Sequence, residues 1–197
     1  MDRADGIVID GARSGDLGDI VAWHGRYYRE FWSFDMTFEA DVAARLGAFV
    51  QSFDPARDGL WVARDGDAFA GSIAINASTA EHGAEHGTEH GALHCCGKPS
   101  DNASADAPQD DRYDAMLRWF IVPPAFQGSG VGRRLLDSAM AFCAERGHDR
   151  VFLWTFEGLD AARALYESVG FCDARSEPRV LGGRDVTMQM LEWKRTP

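Results

Sequence analysis

The sequence has no run approaching the ~18 to 20 consecutive apolar residues of a membrane-spanning helix. Its start, Met1-Asp2-Arg3-Ala4-Asp5-Gly6, has neither the basic residues nor the apolar stretch of a secretion signal, so a cytoplasmic chain without membrane attachment is expected. Positive charge is scarce as well. The 20 Lys and Arg stand against 31 Asp and Glu, for a net charge of −11, which argues against a nucleic-acid partner held through its phosphate backbone. Cysteine is rare: the four in 197 residues, with Cys95 and Cys96 adjacent, make no disulfide framework, and reduced thiols are expected.

What is present fits one globular domain over residues 1–197, since 45% hydrophobic content at this length can bury a proper core. The acidity is local. Residues 77–111 carry −6 of the −11, and Leu93 is their only large aliphatic side chain. So little apolar surface cannot offset the entropy of ordering the segment, which reads as a mobile, disordered insert. It holds a four-residue repeat that places His82, His86, His90 and His94 at even spacing, followed by Cys95 and Cys96. These are ligand types for zinc, nickel or copper. A Gly in each of the first three repeats costs about 1 kcal/mol of helix propensity apiece, and no second Cys pair follows, so a solvated loop is favoured and no metal site is assigned.

Around the insert the periodicities give strands at Ile7–Asp10, Leu60–Arg64, Phe69–Ile75, Ala115–Val122, Val151–Thr155 and Val186–Trp193, with a further one open at Cys172–Ser176. Asp65-Gly66 is the expected hairpin turn. Helices are expected from Asp16, from about Thr37, over Gly132–Arg146 and over Ala161–Ser168. The result is an α/β plan with an antiparallel front half.

Chemistry enters at Gln127-Gly128-Ser129-Gly130-Val131-Gly132-Arg133, between a strand and a helix. Glycines let the backbone approach a ligand, and a helix N-terminus offers unpaired N–H groups and a positive dipole end to an anion such as a diphosphate. A Walker loop is excluded by the absence of Gly-Lys-Ser/Thr, and a dinucleotide fingerprint would need Gly where Arg133 stands. From the glycines alone, a plain connecting turn stays open.

The segment Gln127-x-x-Gly130-x-Gly132, preceded by Phe120-Ile121-Val122 and Pro124, resembles the acetyl-CoA signature of the GNAT N-acetyltransferases. Downstream, Ala162-Arg163-Ala164-Leu165-Tyr166 with Gly170-Phe171 is similar to the family's second signature. The stretch Leu153-Trp154-Thr155 with Gly158-Leu159-Asp160 resembles the acetyltransferase domain of MarR/GNAT fusion proteins, although 197 residues leave no room for their DNA-binding part. The resemblance implies the GNAT acyl-CoA N-acyltransferase fold, a mixed central sheet with an antiparallel N-terminal half and splayed strands 4 and 5. It implies acetyl-CoA as co-substrate, no required metal, and an acceptor that is a small-molecule or peptide amine. A homodimer is left open.

By the same resemblance the main chain of Phe120, Ile121 and Val122 pairs with the pantetheine arm. Gln127, Gly128, Ser129, Gly130, Val131, Gly132 and Arg133 hold the pyrophosphate, and Tyr166 gives its proton to the departing thiolate. The sequence departs from the family at Met116 and Trp154, where relatives carry a glutamate base, and at Leu159, where an asparagine is common. Asp35, Glu39, Glu157 and His24 are the remaining base candidates, with Glu39 the choice. Seven aromatic rings fall between Trp23 and Phe38, Trp32 among them, beside Glu30, Asp35 and Glu39. An aromatic acceptor pocket with an acidic rim is expected there. The alternative from a different class is a non-catalytic CoA binder, or a metal-responsive regulator using the His/Cys repeat.

Overall fold

Short apolar stretches divided by a tight turn begin the sheet. In the computed structural model, which describes residues 6–77 and 113–195, strands β1 (Ile7–Gly11), β2 (Gly59–Asp65) and β3 (Ala68–Ala77) pair antiparallel. The β2–β3 turn is Gly66-Asp67, one residue later than expected, because Asp65 pairs with Ala68 and Gly66 takes φ 58°.

Between β1 and β2 run α1 (Asp16–Trp32) and α2 (Met36–Gln51). Asp16 accepts from the Arg13 amide and pairs with Arg64 of β2, which ties the start of α1 to the sheet. The start of α2 is capped by Asp35, whose carboxylate accepts from the Thr37 amide at 2.9 Å. Ile20, Val42, Leu46 and Phe49 then bury against Val62, Ala74 and Trp119 on one face of the sheet.

After the undescribed segment come β4 (Ala115–Ile121), a short 3₁₀ turn at Pro124–Phe126, α3 (Val131–Arg146), β5 (Arg150–Phe156), α4 (Asp160–Ser168), β6 (Cys172–Leu181) and β7 (Arg184–Lys194). Leu135, Leu136, Ala139 and Cys143 of α3 pack on Ile73, Ile75 and Leu117 of the sheet's other face. The sheet has seven strands in the order β1-β2-β3-β4-β5-β7-β6. Among the described residues only β4 and β5 pair in parallel. Strand β6 extends five residues past Ser176; as a mostly exposed edge strand with Pro178 inside it, it lacks the buried alternation that marks a strand in sequence. Its turn, Gly182-Gly183, has φ of 55° and 70°, the positive values of a two-residue hairpin loop.

Two irregularities of β4 shape the centre of the molecule. Pairing with β5 covers only Ala115, Met116 and Leu117, against Val151, Phe152 and Leu153, so the two strands part beyond that point. On its other edge β4 carries a bulge: Ala74 pairs with Arg118, but Ser72 pairs with Ile121, so β4 holds one residue extra. Trp119 takes φ 46° there, and the buried Ser72 hydroxyl donates to the Trp119 carbonyl at 2.8 Å. The bulge breaks the two-residue alternation: Arg118 lies 4.2 Å over the Trp119 ring, and Trp119 packs with α1 and α2.

Among the described residues, no helix is long and apolar enough to cross a membrane, and Cys143 and Cys172 are free. Of the expected insert at 77–111, Ala77 is the last residue of β3 and not part of a loop; the rest, with the His82 to Cys96 repeat, lies outside the described residues. Its flanks do not: Ala77 and Ala115 are direct partners in the β3–β4 ladder.

Candidate active site

Where β4 and β5 part, a cavity of about 780 Å³ opens between them. It runs from the loop before α3, past α4, to the faces of α1 and α2 and the β6–β7 hairpin. Phe120, Ile121 and Val122 line it, and at these positions the chain has no strand partner on the β5 side among the described residues. Such a one-sided strand edge can pair with an amide-bearing arm.

The loop at the cavity mouth is built by main chain. Gly128 and Gly130 take φ of 75° and 83°, and Gly130 caps α3 with no side-chain acceptor. The N–H groups of Gly128, Gly130, Val131, Gly132 and Arg133 have no acceptor among the described residues. Unpaired donors at a helix's positive end form a site whose chemistry fits a pyrophosphate. The other residues expected here brace the loop. Gln127 Nε2 donates to the Val122 carbonyl at 3.0 Å, Ser129 Oγ donates to the Phe126 carbonyl at 2.5 Å, and Val131 is buried. Gly132 has a second reason: a Cβ there would stand 3.2 Å from Leu165 Cδ1, so the glycine lets α3 close on α4. The Arg133 guanidinium bonds Asp137 at 2.9 Å and Ser168 at 2.8 Å.

Tyr166 faces this cavity from α4, buried beside Phe120 (5.7 Å between ring centroids) and Phe171. Burial pushes its phenol well above the ordinary value, and the nearby Tyr28 phenol adds to the rise. The Tyr166 phenol therefore stays protonated throughout the physiological range. Tyr28 itself is raised by burial, with Tyr27 contributing.

Of the four base candidates, only His24 lines the cavity. Its Nδ1 lies 2.8 Å from the Ile20 carbonyl, which can only accept, so Nδ1 carries the hydrogen and Nε2 keeps a lone pair. Burial lowers its pKa to about 4, against the opposing effect of that hydrogen bond. Glu39 corrects the expectation: it is exposed, and its carboxylate lies over the Gly25 position of α1, outside the cavity. Helix α2 begins at Met36, and its turn aims position 39 at the neighbouring helix while Phe38 lines the cleft. Asp35 is occupied as a cap, and Glu157 faces a separate hollow with Trp32 and Arg184.

The acceptor side is aromatic, with Tyr27, Tyr28, Phe31, Trp32 and Phe38 on its wall, whereas Phe34 is core and Trp23 packs toward α2. Its expected acidic rim is absent from the cavity lining: Glu30, Asp35 and Glu39 all lie elsewhere. Four arginines and two aspartates line the cavity instead, in a protein whose net charge is −11. Periodicity along α1 and α2 could show only Arg45 of these, because Arg118, Arg133 and Arg179 arrive from β4, α3 and β6.

A mixed sheet that parts at its centre, with an unpaired strand edge and a glycine-built helix N-terminus at the opening, defines an acetyltransferase fold. The comparisons agree. The model of the Acetyltransferase (GNAT) family matches residues 17–171, and the chain belongs to that family. A mycothiol acetyltransferase of Beutenbergia cavernae is 53% identical over 51 residues, 25% of this chain but only 17% of that protein. Among solved structures, yncA of Salmonella typhimurium, determined with acetyl-CoA, has a TM-score of 0.65 at 16% identity, covering 96% of this chain and 94% of that one. The ribosomal-protein-alanine N-acetyltransferase of Brucella melitensis has 0.66 at 17% identity, over 95% and 99% of the two chains. At these identities the likeness speaks for the fold.

Proposed function

We propose that this chain transfers the acetyl group of acetyl-CoA to an amine by direct attack on the thioester. The observation that carries the reading is the parted β4–β5 cleft: β5 no longer pairs along Phe120 to Val122, and the N–H groups of Gly128, Gly130, Val131, Gly132 and Arg133 are unpaired among the described residues. These groups would hold the pantetheine arm and the pyrophosphate. Gln127 and Ser129 would act through the loop they brace, and Arg133 from the outer rim of α3. Bound acetyl-CoA supplies the electrophilic carbonyl and a thiolate leaving group of solution pKa ~8.5.

Tyr166 is the donor to that thiolate. Its phenol is protonated, and the burial that raises its pKa raises that of a thiolate placed beside it, so the two remain matched. His24 takes the place assigned to Glu39. With a pKa of about 4 it stays neutral; its Nε2 accepts a hydrogen bond from the attacking amine and orients it, while the amine's proton passes to water in the open cleft. The acceptor, a small-molecule or peptide amine, enters between the aromatic wall of α1 and α2 and the β6–β7 hairpin. Calorimetric titration with acetyl-CoA, followed by thiol release over a panel of amines, tests the reading. Failure of acetyl-CoA to bind at micromolar concentration would overturn it.

A further inference from the structure

Arg118 is a charged side chain in an enclosed place. Its guanidinium lies over the Trp119 ring and donates to Asn76 Oδ1 at 3.2 Å. No carboxylate pairs with it among the described residues, and it opens onto the cavity. Burial draws its pKa down to about 10; the like charge of Arg45 adds to this, and Asp41 opposes it only in part. Arg45, also on the cavity wall, is bound to Asp41 through Nε alone, at 2.7 and 2.9 Å, which leaves its terminal NH₂ groups without a partner among the described residues. A guanidinium on the cavity wall with no carboxylate of its own, beside a second that holds the one carboxylate there through Nε, costs free energy in the empty protein. An anion entering the cavity removes that cost.

The position excludes the pyrophosphate as that anion. Arg118 and Arg45 lie on the α1/α2 side of the sheet, while the glycine loop and Tyr166 pack with α3 and α4 on the opposite side. The two sides meet only through the gap between β4 and β5. We propose that Arg118, with Arg45, binds a carboxylate on the acceptor, so that the acceptor is an amino acid or a compound carrying the same amine and carboxylate pair. The planar fork of a guanidinium matches a carboxylate, and the aromatic wall receives an apolar side chain. The inference rests on the acetyl-transfer reading and narrows its substrate class.

The test measures thiol release from acetyl-CoA by the full chain with L-phenylalanine, L-methionine and L-glutamate, each beside its amide and its decarboxylated amine. The expected result is a preference for at least one acid over its amide of roughly 10- to 100-fold in kcat/KM, the scale of a hydrogen bond to a charged group. Arg118→Gln should bring that ratio close to one through KM, with acetyl-CoA affinity unchanged. Arg118→Lys, which keeps the charge without the fork, should fall between. The melting temperature of Arg118→Gln without ligand should equal or exceed that of the wild type, which a merely structural arginine would not allow. Equal or better use of the amides and amines, no use of any acid, or a ratio that persists in Arg118→Gln overturns the inference. Acetylation confined to neutral amines would do so while leaving acetyl transfer intact; a wild type that does not bind acetyl-CoA would remove acetyl transfer itself.

Discussion

Tyr166 and His24 face one cavity from different helices, and burial acts on them in opposite directions. The phenol is pushed up and kept protonated, and the imidazole is pushed down and kept neutral, because each resists forming charge in an apolar place. Tyr166→Phe removes only the hydroxyl from a ring that still packs on Phe120 and Phe171. Turnover should fall by roughly 10²-fold or more, the scale of general acid catalysis, with acetyl-CoA affinity unchanged by calorimetry. Turnover at the wild-type rate would make Tyr166 a packing residue. His24 gives a second expectation, in stability. The unfolded chain takes up a proton near pH 6.5 that the folded chain refuses until about pH 4. The unfolded state binds more protons in that window, so stability is full above pH 6.5 and is lost as pH falls toward 4, by up to about 3 kcal/mol. Urea midpoints at pH 7.5 and 5.5 should differ in the wild type and differ less in His24→Gln. An equal pH response in both proteins would show that His24 is solvated.

At the scale of elements, the start of α3 and the bulge of β4 do different work. The loop before α3 presents N–H groups, and Gly130 stands at φ 83° with open space where a Cβ would be. Asp tolerates that backbone region better than most residues. Gly130→Asp should therefore leave the fold standing while setting a like charge beside the pyrophosphate. Acetyl-CoA affinity should drop by roughly 10²-fold with circular dichroism unchanged, and an unaltered affinity would place the pyrophosphate elsewhere. The bulge turns Trp119 to the α1/α2 side, where its ring lies under Arg118. The hairpin Gly182-Gly183 closes the same side, since Gly182 presses on Phe34 so closely that a Cβ would stand 2.6 Å from its Cβ. Its carbonyl also accepts from the Asp35 amide at 3.0 Å. On the proposed function, one side of the sheet would hold the thioester and the other would receive the amine.

For the whole molecule, the sheet is continuous across the acidic segment that interrupts the chain, because Ala77 and Ala115 face each other in the ladder. Replacing residues 80–110 by a short Gly/Ser bridge should keep the melting temperature and acetyl-CoA affinity near those of the wild type, since the removed stretch has a single large aliphatic residue to contribute. Loss of the fold on deletion would show that the segment is structural. The sequence by itself determined the order of elements up to the last hairpin and the glycine loop with Tyr166 downstream of it. Those signals are local: a glycine run before a helix, or a periodic apolar face, is read within a few residues. It left β6 open and reached only its first half, Cys172–Ser176, because the exposed edge has no buried face to mark it, and it did not show the extra residue at Trp119, whose carbonyl accepts from Ser72 of another strand. The charge of the acceptor side was also decided by tertiary structure. Proximity in sequence set Glu30, Asp35 and Glu39 beside the aromatic rings, but the helical turn directs them away from the cavity, while Arg118 enters it from the distant strand β4. A side chain's direction depends on what its own element packs against, and that is fixed only when the sheet and helices come together.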